Sequence, residues 1–346
     1  MKTIPRPLPG LFDYEQRMQK LEDGPDPLAR LNARIDWKIF RKDLERAVAK
    51  EAKGPGGRPR QDVVMMFKVL VLQRYYNLSD EQTEYQINDR LSFQRFLGLT
   101  LSDSVPDQKT IWLFRDVLIQ RGQIKKLFRR FEKHLNEAGL MGRAGKMIDA
   151  SFVDVPRQRN SREENEEIKQ GNVPESFQQN ENRMEQKDME ARWVKKGADV
   201  HYGYKNHVKA DRTTKLIEDY AVTDAAVHDS QVVEGLVEVD DGTVYADSAY
   251  TGETIKAILE EHGVKGEICE KGYRNHPLTE AQKKRNRKKS KIRVRVEHIF
   301  GFMTNTMREG LKMRGIGMRR IAAGIGLLNL VYNMARYEQI LRLKLA

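Results

Sequence analysis

Cysteine is almost missing from this chain: Cys269 is the single one in 346 residues. That excludes a disulfide framework and a cysteine-based zinc site, and it suits a reducing cytoplasm. Histidine is sparse too, with 7 residues. His201 and His207 have a same-face strand spacing, but two imidazoles without further ligands do not make a metal site. Long apolar runs are absent. The longest uncharged stretch, Ile321 to Ala335, is too short to cross a bilayer and suits a buried helix. The first residues carry no apolar run of signal-peptide length.

What is present is charge. Lys and Arg number 62 against 50 acids, a net charge of +12 with a pI near 9.5. The excess is local: Ala281 to Arg320 holds 14 basic residues and 2 acids, Glu297 and Glu309, an imbalance as large as that of the whole chain. A concentrated basic face suits a polyanion, most simply nucleic acid, through release of condensed counterions. The 39% hydrophobic content marks a globular chain, and the length allows two domains.

Residues 1–30 are Pro-rich and aperiodic, and read as an extended arm. Residues 31–140 read as a helical domain for DNA binding or dimerisation. Ile35, Phe40, Leu44 and Val48 face inward from a first helix, and 53–60 read as a Gly- and Pro-rich linker. Ser79 with Gln82 forms a capping-box start. Asp107 caps a helix carrying Ile111 and Leu118, with Trp112 among its core aromatics. Gly139 stops a helix begun at Gln123.

From 141 the texture changes. Lys146–Val155 alternates as a strand, with Met147, Asp149, Ser151 and Val153 on one face. A charged insertion, 156–198, follows. Further strands are expected at Ala198–Ala210, Leu216–Thr223, Thr243–Asp247 and Val264–Cys269, with helices between and after them. Residues 273–290 read as a basic linker. Lys291–Arg320 reads as one helix whose stripe is Ile292, Val296, Ile299, Met303, Met307 and Leu311. The expectation is an α/β domain: a mixed five-stranded sheet flanked by helices.

Three acids stand out. Asp149 is mid-strand, where a carboxylate is costly unless it is paired or holds a cation. Asp247 ends a strand, where ligands of open α/β sheets collect. Glu297 lies on the shoulder of the basic helix, beside Arg293, Thr304 and Arg308. Carboxylates without soft ligands suit Mg²⁺ or Mn²⁺. Spacing alone leaves Asp154, Asp224 and Asp229 as competitors.

The segments IDASFVDVPRQRN (148–160), HYGYKNHVKAD (201–211), VTDAAVHDS (222–230), YADSAYTGE (245–253) and RVRVEHIFGFM (293–303), with helical stretches at 57–90 and 105–118, resemble the DDE transposases of bacterial insertion sequences. The branch they resemble is the one named after insertion sequence 5. The resemblance implies an RNase H-like catalytic domain. It implies Asp149, Asp247 and Glu297 as ligands of two Mg²⁺ or Mn²⁺ ions, separated by 98 and 50 residues. It implies water-driven cleavage at element ends and attack of the freed 3′-OH on target DNA, by a cytoplasmic, nucleoid-associated homodimer on double-stranded DNA. Lys205, His207, Arg293, Arg295, Arg308, Arg314 and Arg319 are then candidate phosphate contacts. Arg293 matches the family's Arg four before the last acid. Ser290 and Thr304 stand where the family has Tyr and Lys, and Arg308 is the candidate substitute charge. The alternatives are another RNase H-like nuclease, or a silent transposase-derived DNA-binding protein.

Overall fold

A computed structural model describes residues 10–49, 60–142 and 144–345. Most of the expected 53–60 linker lies outside the described residues. So does the start of the expected arm, but 10–30 is not extended. It forms helices Asp13–Asp23 and Pro27–Arg34. Asp26 caps the second by accepting from the Leu28 amide, and Pro27 takes the first helical position, where its missing N–H costs nothing. The prolines here start a helix.

Helices then follow at Arg41–Val48, Val63–Tyr75, Asp80–Asp89, Leu91–Leu97, Gln108–Gln120 and Gln123–Glu137. The Ser79–Gln82 capping box forms in both directions, at 3.1 and 3.3 Å. Asp107 caps its helix through the Thr110 amide. Val63–Tyr75 is apolar all round, and is correspondingly buried on nearly every side. Trp112 departs from the core expectation, being 42% exposed.

The sheet has six strands: β1 Lys146–Asp154, β2 Arg192–Lys196, β3 Asp199–Asp211, β4 Ile217–Asp224, β5 Thr243–Ala246 and β6 Lys265–Ile268. The order is β2-β3-β1-β5-β6, with β4 also on β3. β1–β3, β2–β3 and β3–β4 are antiparallel, while β1–β5 and β5–β6 are parallel. This mixed sheet between helices is the RNase H-like arrangement. The sixth strand, β2, comes from the charged insertion, whose other ordered parts are short helices at Arg162–Lys169, Glu175–Gln178 and Glu181–Glu185.

At Gly203 the strand β3 passes from β1 to β2, pairing with Asp154 and Arg192. Its φ is +147°, and a Cβ there would meet the Val153 carbonyl oxygen at 2.3 Å. Only glycine permits that approach.

The sheet's two faces bury different layers. Met147, Val153, Tyr204 and Val208 pack with the Met318–Leu343 helix and the N-terminal helices in one core running from Leu28 to Ile340. Ile148 shares the other face with Leu236, Val244, Tyr250 and Ile255. The long helix is pinned to the sheet by two buried asparagines, Asn206 and Asn329. They exchange amide hydrogen bonds of 2.8 and 3.0 Å.

The charged insertion anchors the same helix at its start. Asp188 accepts from the Gly317 amide at 3.0 Å, and Glu190 from the Met318 amide at 2.7 Å. Two acids thus meet the unpaired amides at the positive end of a 26-residue helix. The buried Tyr204 hydroxyl also donates to Asp188, at 2.7 Å.

The stretch 273–320 differs most from expectation. The basic linker is largely a helix, Glu280–Arg293, started by a Thr279–Gln282 capping box. The single helix expected over Lys291–Arg320 is broken. A 3₁₀ turn at Val294–Val296 leads to an α-turn at Glu297–Gly301 and a π-turn at Phe302–Thr306, and then the helix ends. Arg308 and Glu309 both take positive φ and Gly310 follows, which turns the chain away. The Asp154 and Met313 backbones meet at 2.9 Å beyond that turn.

Candidate active site

β1 and β5 pair in parallel at Lys146–Val244 and Met147–Tyr245. The same register carried two residues further puts Asp149 level with Asp247, just past the end of β5. Parallel partners at one level face the same side of a sheet. Asp247 is held by accepting from the Ala249 amide at 2.7 Å, which fixes the Ser248–Tyr250 turn.

Glu297 arrives from the helical side. Arg293, one turn earlier, binds it at 2.6 Å through one guanidinium nitrogen and binds Asp149 at 2.9 Å through the other. One cation thus bridges carboxylates 148 residues apart in sequence. Asp149 is mostly covered and Glu297 is about half exposed. Burial pushes the Asp149 carboxyl up to about 6. The Ala150 amide and Arg293 pull it down, and the charge of Asp247 adds to the rise. The Tyr250 hydroxyl, fully buried, has no hydrogen-bond partner among the described residues. It lies within electrostatic reach of Asp149, Asp229 and Asp247, and burial first, then those acids, hold its proton on.

The donor set is one of hard oxygens, with a buried carboxylate that a cation would relieve and an unspent phenol beside it. That chemistry fits Mg²⁺ or Mn²⁺. As the side chains stand, Arg293 lies between two of the acids. Among the described residues no three His, Cys, Asp or Glu side chains are gathered closely enough to hold an ion.

The competing acids have other tasks. Asp154 meets His201 at 3.2 Å, Asp224 accepts from the Ala226 amide, and Asp229 pairs with Lys205 at 2.8 Å.

The expected phosphate contacts divide. Lys205 and His207 differ from the exposed contacts expected: both are buried, on the sheet face opposite Asp149, because Asp149 pairs with Val208 and strand residues alternate. Lys205 binds Asp229 and the Val227 carbonyl oxygen, and His207 binds the Thr223 hydroxyl at 2.9 Å. Burial lowers the imidazole to about 4. Both side chains are spent inside the protein, packed on the face that carries Ile148. Lys209, from the same face, is fully buried against Glu238 and Asp241. Arg308 is no longer one helical turn beyond Thr304, since the helix ends first; it lies over the Tyr76 ring. Arg295, Arg314 and Arg319 are exposed, each with a guanidinium on a backbone carbonyl oxygen: that of Arg212, Asn77 and Gln120 respectively. Ser290 meets Cys269, and Thr304 binds the Phe300 carbonyl oxygen.

Sequence reading missed Lys196, whose charge reaches Asp149 and whose amine lies over the Phe152 ring. Its signal was buried in the charged insertion.

A mixed sheet with acids at the mouth of adjacent parallel strands, and a third acid on the short helix after a basic one, is an arrangement compatible with phosphoryl transfer on nucleic acid. Residues 142–334 match the family model described as transposase DDE domain, and residues 15–117 match that of a transposase domain, DUF772. The chain belongs to the DDE transposase family: it is a nuclease and strand transferase of DNA transposition. Among solved structures, it resembles piggyBac transposase in a synaptic complex with hairpin DNA. The TM-score is 0.46 at 12% identity, over 94% of this chain and 77% of that one.

Proposed function

We propose that Asp149, Asp247 and Glu297 are the acids at which this transposase acts, and that they hold two Mg²⁺ or Mn²⁺ ions. The observation that carries the proposal is the Arg293 bridge. A cation already sits between Asp149 and Glu297, and Asp247 is brought level with Asp149 by strand register. Bound there, the ions would supply Lewis-acid stabilisation of charge at phosphorus and acidify water. The chain's own residues do the rest. Asp149, stiff in the sheet, and Asp247, fixed by its turn, set the frame. Glu297 closes it from the helix. Arg293, released from the acids, is one side-chain swing from the non-bridging oxygens of a scissile phosphodiester, whose charge a guanidinium fork matches. Exposed Arg295, Arg314 and Arg319 would hold DNA backbone.

In this reading the substrates are double-stranded element ends and target DNA. The protein works as a homodimer on DNA in a bacterial cytoplasm, within the insertion sequence 5 branch. Residues 31–140 serve DNA binding and dimerisation, and 141–346 serve chemistry. The test is cleavage of a labelled duplex bearing an element end, together with Mn²⁺ binding read by electron paramagnetic resonance. Wild type should bind Mn²⁺ and cut. Asp149→Ala, Asp247→Ala and Glu297→Ala should keep duplex binding, lose cutting by at least about 10³-fold and weaken Mn²⁺. A variant that cuts like wild type removes its acid from the assignment. A wild type that binds DNA but neither cuts nor takes Mn²⁺ favours a silent DNA-binding protein.

A further inference from the structure

Away from the three acids lies a cavity of about 430 Å³ between the N-terminal helices, the loop at 313–316 and the start of the Met318–Leu343 helix. Four arginines line it, Arg74, Arg115, Arg314 and Arg320, against two acids, Asp80 and Asp116. The acids are taken. Asp80 receives both nitrogens of the Arg115 fork at 2.5 and 2.7 Å, and Asp116 faces Arg320 at 3.9 Å. Arg314 reaches only the Asn77 carbonyl oxygen, at 3.3 Å from each nitrogen.

Among the described residues Arg74 meets no carboxylate. Its Nη1 points at the Met313 sulfur at 3.1 Å, a weak acceptor, and its Nε is closed from solvent with no partner. Burial, with the charges of Arg115 and Arg314 adding to it, lowers its affinity for its proton to about 10. A half-buried guanidinium with its Nε closed from solvent, beside two like charges, is an expensive arrangement that a hydrophobic side chain would avoid. Gly324 leaves room for it: a Cβ there would stand 3.5 Å from Arg74 Nη2 and 3.2 Å from the Met313 sulfur.

We propose that this cavity is an oxyanion site, holding a phosphate group on Arg74 and Arg314 with Arg115 and Arg320 behind them. The shared chemistry is a tetrahedral phosphate, from a free anion or from a DNA backbone; the half-exposed Trp112 ring on the cavity wall suits a nucleotide attached to it. The site joins the helical region to the loop that follows the Glu297 helix, so its filling ties those two parts together. It stands apart from the three acids, and its test uses neither a divalent metal nor cleavage.

The experiment follows melting temperature against inorganic phosphate at constant ionic strength, and duplex affinity against salt, for wild type, Arg74→Met and Arg314→Ala. Wild type should show a saturable rise with phosphate. Arg74→Met should weaken the apparent affinity at least about tenfold, and should melt no lower than wild type without anion. Arg314→Ala, a change at an exposed side chain, should weaken it as well and secures the test if Arg74→Met fails to fold. If the source is DNA, Arg74→Met lowers the salt slope of duplex binding by about one; a lowered slope in Arg314→Ala alone reports only the exposed backbone contact already assigned to it. A phosphate response with an unchanged Arg74→Met slope assigns the site to a free anion; a lowered Arg74→Met slope without a phosphate response assigns it to DNA. If the phosphate response of both variants and the Arg74→Met slope are unchanged, the proposal fails. A lower anion-free melting temperature with an unchanged phosphate response makes Arg74 a structural strut, and the proposal fails there too.

Discussion

Asn206 and Asn329 offer the sharpest quantitative test of how the sheet is held to its long helix. Each amide donates to and accepts from the other, and both are fully buried. Asn329→Leu keeps the outline of the side chain but leaves the Asn206 amide with a donor and an acceptor facing nothing. At about 1–3 kcal/mol for each orphaned group, the single variant should lose roughly 2–6 kcal/mol. Asn206→Leu should lose a similar amount. In the double variant no group is orphaned, and only two neutral hydrogen bonds are gone, a net loss of about 1–3 kcal/mol. The cycle therefore predicts a coupling of several kcal/mol, with the double variant more stable than either single one. Urea denaturation followed by tryptophan fluorescence reads this as midpoint shifts at constant slope. Losses that simply add would mean that water reaches the pair, and the account of a dry polar clasp would be wrong.

Other outcomes follow from the same packing. His207 is lowered to about 4 in the folded chain against about 6.5 unfolded. The unfolded state binds more protons between those values, so stability should rise with pH across that window, by about 3 kcal/mol at most, and fall as acid is added. His207→Gln should flatten that profile; an unchanged profile would mean the ring titrates normally. Lys209→Met should cost roughly 3–5 kcal/mol, because Asp241 stays buried without its cation. Pairing it with Asp241→Asn should restore part of the loss, seen as recovery of the urea midpoint. Gly203→Ala should shift the far-UV spectrum or abolish soluble expression, since no small adjustment clears a 2.3 Å contact with backbone.

Much of this was legible in the sequence because local chemistry decided it. The alternation in Lys146–Asp154, the Ser79 capping box and the Gly139 stop depend on neighbours within a few residues, and each stands where expected. The position of Asp247 at a strand end was visible for the same reason. What failed depended on distant partners or on a missing apolar stripe. Helix Glu280–Arg293 buries none of its residues, so periodicity had nothing to find, although its Thr279 cap was there to be read. The break after Thr306 was hidden because Met303 and Met307 stay buried through a π-turn, which keeps the stripe's appearance while changing its register. The β3 cations looked like a phosphate-binding face because the acids that meet them, Asp229, Glu238 and Asp241, come 18 or more residues after β3.

The clasp formed by Asp188 and Glu190 changes how the charged insertion should be regarded. By composition it is a detachable appendage, yet its last residues close the amide end of the helix on which both halves of the molecule rest. The segment therefore has a seam. Upstream of it Ile168 and Phe177 are buried, but the exposed turn at 170–172 between the short helices can take a tag or a foreign module at little cost. From Asp188 onward the chain is joinery, and a cut there would loosen a beam more than a hundred residues away along the sequence.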